Sequence, residues 1–275
     1  MEDVRAMPAP PSSEQLAARW DTWSQSYDNW GPEEHPAYKQ AWIDALTELV
    51  GHPHRDGSPA LRIVDVGTGT GDIALLLAQM GHDVTGYDIS PAMLELARAK
   101  AAQADVPAAF ALGDAYDLPL AHGSVDVVVN RLVLWTLHDP SAALREWWRL
   151  LSPGGRIVVT DGLWWATPAN VGMGRKAWRQ SQRLLRTYRS RRRARRERRP
   201  WAGDYYTDAV GSPGMSWQTV VDAQDHFTEA GLPTPQLSWL DALFEVERRT
   251  TPIWRRLISR PRPFFALAVQ RTSTG

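Results

Sequence analysis

The chain has 275 residues, of which 43% are hydrophobic and 23% are charged, and its formal net charge is +0. This length suits one α/β domain with an appendage, or two small domains, and the balanced charge argues against a general polyanion-binding protein. Because the sequence contains no cysteine, disulfides, zinc–thiolate sites and cysteine nucleophiles are excluded.

The N-terminal part of the chain predicts a disordered tail followed by a helical cap. Residues 1–15 are rich in Pro, Ser and Ala and are predicted to be disordered. There is no apolar signal-peptide core, and no stretch reaches the ~18 apolar residues of a membrane span, so we expect a cytoplasmic protein. Between residues 16 and 50, apolar side chains recur at three- and four-residue steps, which predicts helices.

Short apolar runs alternate with helical patterns between residues 51 and 161. The predicted strands cover residues 61–66, 84–87, 108–112, 125–130 and 156–161. The predicted helices cover residues 73–80, 91–102 and 141–151, and residues 152–155 form a turn. This alternation is typical of βαβ units and predicts a parallel sheet.

After residue 161 the alternation stops. Residues 162–235 are rich in Trp and Arg, end in a predicted helix over 216–231, and are predicted to form a lid that recognises the substrate. The arginine-rich run from Arg183 to Arg199 is either solvated, paired with acids, or a binding site for phosphate, carboxylate or nucleic acid. Residues 236–275 are predicted to complete the sheet with an antiparallel pair of strands over 237–248 and 264–270.

The first predicted strand ends in a glycine-rich turn that carries Gly67, Gly69 and Gly71 and opens a helix. Glycine allows a sharp turn and a close approach to a ligand, and the helix N-terminus offers N–H groups to an anionic group. The G-x-G-x-G spacing differs from the G-x-G-x-x-G of dinucleotide loops, and the G-K-[ST] of a P-loop is missing. Asp88 ends the second strand, where a carboxylate accepts hydrogen bonds from ribose hydroxyls. The pattern therefore predicts an adenosine-containing ligand.

With three further stretches, this pattern resembles the class I S-adenosylmethionine-dependent methyltransferases, close to their ubiquinone/menaquinone-type small-molecule branch. The stretches are FALGDAYDLP at residues 110–119, SVDVVVNRL at 124–132 and LLSPGGR at 150–156. Upstream, Trp20-Asp21 and Tyr27-Asp28 resemble a segment that folds over the cofactor in that family. The likeness is dense over residues 61–161, loose over 16–50 and poor over 162–263.

The resemblance implies a Rossmann-like α/β fold with a seven-stranded sheet in the order 3-2-1-4-5-7-6 and helices on both faces. It also implies S-adenosylmethionine as the cofactor, S-adenosylhomocysteine as its product, and no metal site. The residues expected to bind this cofactor are Tyr27, Asp65, Gly67, Thr68, Gly69, Asp88, Ile89, Met93, Asp114, Ala115, Asn130, Arg131 and Leu132. Asp114 matches the acid that binds the adenine amino group, whereas Met93 caps the adenine ring or packs in the core.

The catalytic and substrate-binding residues are less constrained. His138 follows the fourth strand at the rim where the methyl group is delivered, and it is the candidate general base. The alternative for His138 is a surface histidine beside a helix N-cap. Trp23, Trp135 and Trp164 are the candidate substrate-binding residues, although tryptophans at helical spacing often form a packing face.

The implied function is methyl transfer to an O, N or C atom of a small molecule, for example in natural product biosynthesis. One alternative is a methyltransferase whose peptide or nucleic acid substrate is held by the arginine-rich run. Against a nucleic acid, the fourth strand ends in Asn130-Arg131-Leu132-Val133 instead of [DN]-P-P-[FY]. Another alternative is a cofactor-binding regulator without turnover, or an NAD-binding oxidoreductase, which the glycine spacing disfavours. Residues 162–235 are also the candidate contact region of a homo-oligomer.

Overall fold

A computed structural model describes residues 11–24, 27, 35–162, 220–250 and 263–272. The helices, numbered along this part of the chain, are α1 (Ser13–Ser24), α2 (Pro36–Leu49), α3 (Pro53–Asp56), α4 (Asp72–Gln79), α5 (Pro91–Ala104), α6 (Pro140–Leu150), α7 (Val220–Glu229) and α8 (Asp241–Thr250). The strands are β1 (Arg62–Val66), β2 (Asp83–Asp88), β3 (Ala109–Leu112), β4 (Val125–Arg131), β5 (Leu151–Gly162), β6 (Gln236–Trp239) and β7 (Phe264–Gln270).

The strands form one seven-stranded sheet in the order β3-β2-β1-β4-β5-β7-β6. The pairs from β3 to β5 are parallel, whereas β7 runs antiparallel to both β5 and β6. The predicted order and the antiparallel terminal pair are therefore confirmed. The order reverses between β1 and β4, and in open α/β sheets such a reversal leaves a crevice at the carboxyl ends of the strands.

The sheet is covered on both faces, which explains why its central strands are continuously apolar. On one face, Val128 belongs to a buried cluster with Trp147 of α6 and Phe227 of α7. On the other face, Val127 belongs to a cluster with Leu77 of α4. Because neighbouring residues of a strand point to opposite faces, the β-branched run of β4 contributes to both cores.

The C-terminal part of the sheet corrects the prediction of a strand over residues 237–248. The strand ends at Trp239, and α8 begins at Asp241, an acid that suits the positive end of a helix. The side chain of Leu243 is buried, and Glu245 pairs with Arg248 one helical turn later at 2.8 Å. This three-residue period is helical, so the apolar residues after Trp239 were wrongly assigned to a strand.

The disordered N-terminal tail was predicted to extend to residue 15. Its predicted end lies too far along the chain, because α1 begins at Ser13. Ser12 and Gln15 cap the helix reciprocally: the Gln15 amide N–H donates to the Ser12 hydroxyl, and the Ser12 amide N–H donates to Gln15 Oε1. The Ser13 hydroxyl also donates to Asp114 Oδ2 at 2.6 Å, which ties the start of α1 to the loop after β3.

Two other predicted segments, the turn at residues 152–155 and the lid at residues 162–235, compare differently with the structure. The turn predicted at residues 152–155 lies within β5, where the register with β4 shifts between the pairs Val125–Leu151 and Val127–Arg156. Most of the predicted lid, including Trp164 and the arginine-rich run, lies outside the described residues. Among the helices of the described ranges, none is long and apolar enough to cross a membrane.

Candidate functional site

A cleft lies where the order of the sheet reverses, at the carboxyl ends of β1, β2 and β4. It has a larger lobe of about 720 Å³ and a smaller lobe of about 280 Å³, both counted with the solvent at the open mouth of the cleft. The walls of both lobes include Tyr27, Gly67, Gly69 and Arg131, so the lobes are two parts of one site.

The glycine-rich turn separates the two lobes, and its glycines have different roles. Gly67 and Gly69 both adopt left-handed backbone conformations, with φ of 67° and 55°. A Cβ atom at Gly67 would lie 2.3 Å from Val133 Cγ2, so this glycine is required by packing. A Cβ atom at Gly69 would meet nothing within 4 Å. Gly69 therefore leaves open space in the cleft for a ligand to approach the backbone.

The carboxylate of Asp88, at the end of β2, holds this turn in place. Its Oδ2 accepts a hydrogen bond from the Gly69 amide N–H at 2.8 Å, and its Oδ1 accepts one from the Ser90 amide N–H at 2.9 Å. Burial raises the pKa of Asp88, although these N–H groups oppose the shift. Each carboxylate oxygen can accept more than one hydrogen bond, so Asp88 still has acceptor capacity for a ligand hydroxyl in the larger lobe.

Asp65, at the end of β1, lines the smaller lobe and is buried. Its Oδ2 accepts a hydrogen bond from Thr68 Oγ1 at 2.7 Å. Burial raises the pKa of Asp65 to about 7, against the opposing effects of the Thr68 hydroxyl and the Arg131 charge. This carboxyl group therefore changes its charge near neutral pH, next to the glycine-rich turn.

Stability at different pH values tests the burial of Asp65. The folded pKa of about 7 exceeds the ordinary value of 3.8, so the folded state binds this proton more tightly than the unfolded state does. The contribution of Asp65 to the free energy of unfolding is therefore fully present below pH ~4 and falls as pH rises toward 7. Asp65→Asn cannot ionise, and urea unfolding should show a flatter pH profile for this variant over that range. Parallel profiles of the variant and the wild type would contradict the assignment.

Arg131 is one of the residues that line both lobes. Its guanidinium lies 3.1 Å from Asp72 Oδ2 and 5.6 Å from the centre of the Trp42 ring. Lys100 Nζ lies 2.8 Å from the other oxygen of Asp72. Burial raises the pKa of Asp72, but the charges of Arg131 and Lys100 outweigh it, and the net shift is downward. The carboxylate thus stays ionised and fixes the position of the arginine.

The loop after β3 closes the other end of the larger lobe. Asp114 Oδ1 accepts a hydrogen bond from the Tyr116 amide N–H at 3.1 Å. The Ala115 carbonyl accepts one from Trp147 Nε1 at 2.9 Å, which fixes the backbone of this loop against α6. Met93 of α5 is buried and lines the same lobe. This end of the larger lobe therefore combines polar loop atoms with an apolar side chain.

Helix α1 covers the larger lobe with the side chains of Leu16 and Trp20. It is attached through Asp21, whose Oδ1 accepts hydrogen bonds from Ser90 Oγ at 2.5 Å and from the Ala92 amide N–H at 3.2 Å. Because both donors lie at the start of α5, the acid also suits the positive end of that helix. The helical cap predicted over residues 16–50 thus contributes to the cleft through α1 and Tyr27.

Most of the residues predicted to bind the cofactor line this cleft: Tyr27, Asp65, Gly67, Thr68, Gly69, Asp88, Ile89, Met93, Asp114, Ala115, Arg131 and Leu132. Asn130 is different: it is only 1% exposed and lies behind the wall of the cleft. Its Nδ2 donates to the Val66 carbonyl at 3.2 Å, so it ties β4 to β1. Leu132 has a left-handed φ of 60°, a strained conformation that often occurs at functional sites.

The predicted catalytic and substrate-binding residues do not line the cleft where the structure describes them. His138 is exposed, Trp135 is buried in the core, and Trp23 is half-buried against the same core. Trp135 lies in a 3₁₀ turn over Leu134–Thr136, in which Thr136 lines the cleft whereas Trp135 does not.

Trp20, Gly113 and Tyr116 lie in stretches that resemble the family but were not predicted as individual site residues. The lining residues absent from the predicted set are Leu16, Trp20, Thr70, Asp72, Ile73, Gly113, Tyr116, Val133, Thr136 and Leu137. Three of them had a signal in the sequence. Leu16 and Trp20 are four residues apart and therefore share one face of α1. Tyr116 follows Asp114 and Ala115 directly, so it shares their loop.

The comparisons with known proteins agree with this geometry. Residues 64–159 match the family model described as a methyltransferase domain. The demethylmenaquinone methyltransferase of Thermus thermophilus is 41% identical over 102 residues, which cover 36% of this chain and 46% of the relative. The chain spans about half the length of the curated relatives it matches.

Solved structures share the fold across most of the chain. The [4+2]-cyclase SpnF superposes with a TM-score of 0.59 at 18% identity, covering 98% of this chain and 100% of that one. A geranyl diphosphate methyltransferase in complex with GPP and sinefungin gives a TM-score of 0.53 at 19% identity, covering 85% and 78% of the two chains. Residues 64–159 therefore carry a methyltransferase domain, on a sheet with the strand order that the resemblance implied. The matched relatives include several demethylmenaquinone methyltransferases, which agrees with the quinone-type branch that the sequence resembles.

Proposed function

We propose that the protein uses S-adenosylmethionine to transfer a methyl group in line to an O, N or C nucleophile of a small molecule. The observation that carries this proposal is the open space at Gly69 beside the buried carboxylate of Asp88. A ligand can approach the backbone of the turn there, and the ribose hydroxyls of the ligand can donate hydrogen bonds to Asp88. The G-x-G-x-G spacing and the family match of residues 64–159 support the same cofactor.

The two lobes suit the two ends of this cofactor. In the larger lobe, Met93 and Ile89 offer apolar contacts to the adenine ring, and Asp114 offers an acceptor to its amino group. In the smaller lobe, the Asp65 carboxyl offers hydrogen-bond acceptors to the amino group of the methionine end, and the Arg131 guanidinium offers donors to its carboxylate. When bound, the cofactor supplies a methyl group activated by the sulfonium. The chain's own task is then to align the acceptor and keep water out.

The acceptor in this proposal is an apolar, often aromatic, small molecule such as a quinone precursor or another natural product. Trp20, Tyr27 and Val133 border the cleft and offer aromatic and apolar contacts. The relatives named demethylmenaquinone methyltransferases support an acceptor of this kind. Residues 162–235 would recognise the acceptor as a lid, because specificity in common folds depends on such variable regions.

The proposal includes a cytoplasmic location and a homo-oligomer that forms through residues 162–235. Cell fractionation tests the location. Gel filtration at several protein concentrations tests the assembly, and an elution volume that does not change from that of a monomer would contradict it. The alternative acceptor is a peptide or nucleic acid held by the run from Arg183 to Arg199. Inhibition of methyl transfer to a small molecule by an added peptide or nucleic acid would favour this alternative.

Calorimetric titration of the purified protein tests the proposed cofactor. We expect micromolar binding of S-adenosylmethionine and S-adenosylhomocysteine and no binding of NAD. His122→Ala is a suitable control, because His122 is exposed in the turn before β4 and does not line the cleft. NAD binding would favour an oxidoreductase, and a folded protein that binds neither adenosine compound would contradict the proposal. Binding without turnover on any acceptor would instead favour a regulator.

A further inference from the structure

Tyr116 connects the two loops that form the base end of the cleft. Its side chain lines the larger lobe from the loop after β3. Its hydroxyl lies 2.9 Å from Nδ1 of His138 and 3.1 Å from the amide nitrogen of Asp139, both in the loop after β4. The ring also packs on the His138 imidazole, with centroids 4.7 Å apart. One side chain thus holds together two walls that are distant in sequence.

The direction of these hydrogen bonds follows from the donors that are present. The Asp139 amide N–H can only donate, so the Tyr116 oxygen accepts from it. We assign the hydroxyl proton to the hydrogen bond with His138 Nδ1, and in this assignment the imidazole proton lies on Nε2. Burial raises the pKa of Tyr116 to about 12, so the hydroxyl keeps this proton at neutral pH.

The same residue is also connected to the predicted adenine-binding acid. The Tyr116 amide N–H donates to Asp114 Oδ1, and Asp114 Oδ2 accepts from Ser13 at the start of α1. A displacement of the Tyr116 side chain would therefore shift the Asp114 loop. His138 itself is exposed and does not line the cleft, so it can act on the site only through such contacts.

We propose that Tyr116 and His138 form one positioning unit, which holds the two loops at the distance that the base of the cofactor requires. This inference rests on the proposed function, because it assigns the pair to the cofactor site of the methyltransferase. His138 then acts through the Tyr116 hydroxyl instead of serving as a general base. The property that matters is an acceptor at the position of Nδ1, not an ionisable ring.

A double-mutant cycle on affinity for S-adenosylhomocysteine, measured by calorimetry, tests the pair. Tyr116→Phe and His138→Ala should each weaken binding about three- to tenfold, the usual effect of one neutral hydrogen bond. The double variant should be no weaker than the worse single variant, because both changes break the same contact. His138→Asn should recover most of the affinity, since its Oδ1 can accept near the position of Nδ1. His122→Ala should bind like the wild type.

Several results would overturn the inference while the wild type still binds the nucleoside. One is an unchanged affinity of Tyr116→Phe for S-adenosylhomocysteine. Another is a double variant in which the losses of affinity of the two single variants multiply. The third is a His138→Asn variant that binds as weakly as His138→Ala. Thermal unfolding of each variant verifies that a loss of affinity is not a loss of folding. If the folded wild type binds no S-adenosylhomocysteine, the proposed function fails and the positioning role fails with it.

Discussion

Asp88→Ala is expected to weaken binding of S-adenosylhomocysteine by 100-fold or more. A hydrogen bond to a charged group contributes about 1.5–3 kcal/mol, and two ribose hydroxyls would lose such a partner. The loss is therefore about 3–6 kcal/mol, which corresponds to a factor above 100. The variant also leaves the Gly69 and Ser90 amide groups without the acceptor that orients the glycine-rich turn. Calorimetric titration measures the effect directly.

The matched control for this prediction is Asp83→Ala. Asp83 begins the same strand that Asp88 ends, and it is exposed at the edge of the sheet opposite the cleft. Its removal should leave the affinity close to that of the wild type. An Asp88→Ala variant that binds as tightly as this control would mean that the ribose does not lie against β2.

The second large effect is expected when Gly67 is replaced by Ala, which should lower the free energy of unfolding. Gly67→Ala places a Cβ 2.3 Å from Val133 Cγ2 in a backbone conformation with positive φ. Overpacking costs about 1–3 kcal/mol, and the left-handed conformation costs about 1–2 kcal/mol more for a residue with a Cβ. Urea unfolding should therefore show a loss of roughly 2–5 kcal/mol in the free energy of unfolding.

Two companion variants separate the steric cost from the backbone cost. Gly67→Ala combined with Val133→Ala removes the methyl groups that clash, so part of the lost stability should return. Gly69→Ala has only the backbone cost, because its Cβ would meet no protein atom within 4 Å. It should be more stable than Gly67→Ala but bind the cofactor poorly, since the methyl group would occupy the space for the ligand. Equal stability of the two glycine variants would contradict this division of roles.

The parts of the fold with strong local signals could be predicted from the sequence. Residue type alone indicates the local structure at three places. These are the apolar runs of the central strands, the glycine-rich turn and the end of β2 at Asp88. Residues 237–248 lacked such a signal. Leu237 and Trp239 alternate as in a strand, whereas Leu240 and Leu243 are spaced as in a helix. Only the pairing of β6 with β7 determines where the strand ends.

The site shows the same division between local and tertiary information. The cofactor residues of the glycine-rich turn follow from local geometry, and nearly all of them line the cleft. Trp135 lies in a short 3₁₀ turn, and a pattern of residue types does not reveal which side chains of such a turn face a cleft. The contact between Tyr116 and His138 joins residues 22 positions apart on two loops, so it exists only once the sheet has formed.

The attachment of α1 has a consequence for the rate at which ligands exchange. Leu16 and Trp20 cover the larger lobe, and the helix is attached through Ser13 to one loop and through Asp21 to the start of α5. A helix held by few polar contacts can separate from the lobe when those contacts break. We therefore expect the rate of product release to rise when Asp21 is replaced by Ala, even where the equilibrium affinity does not change.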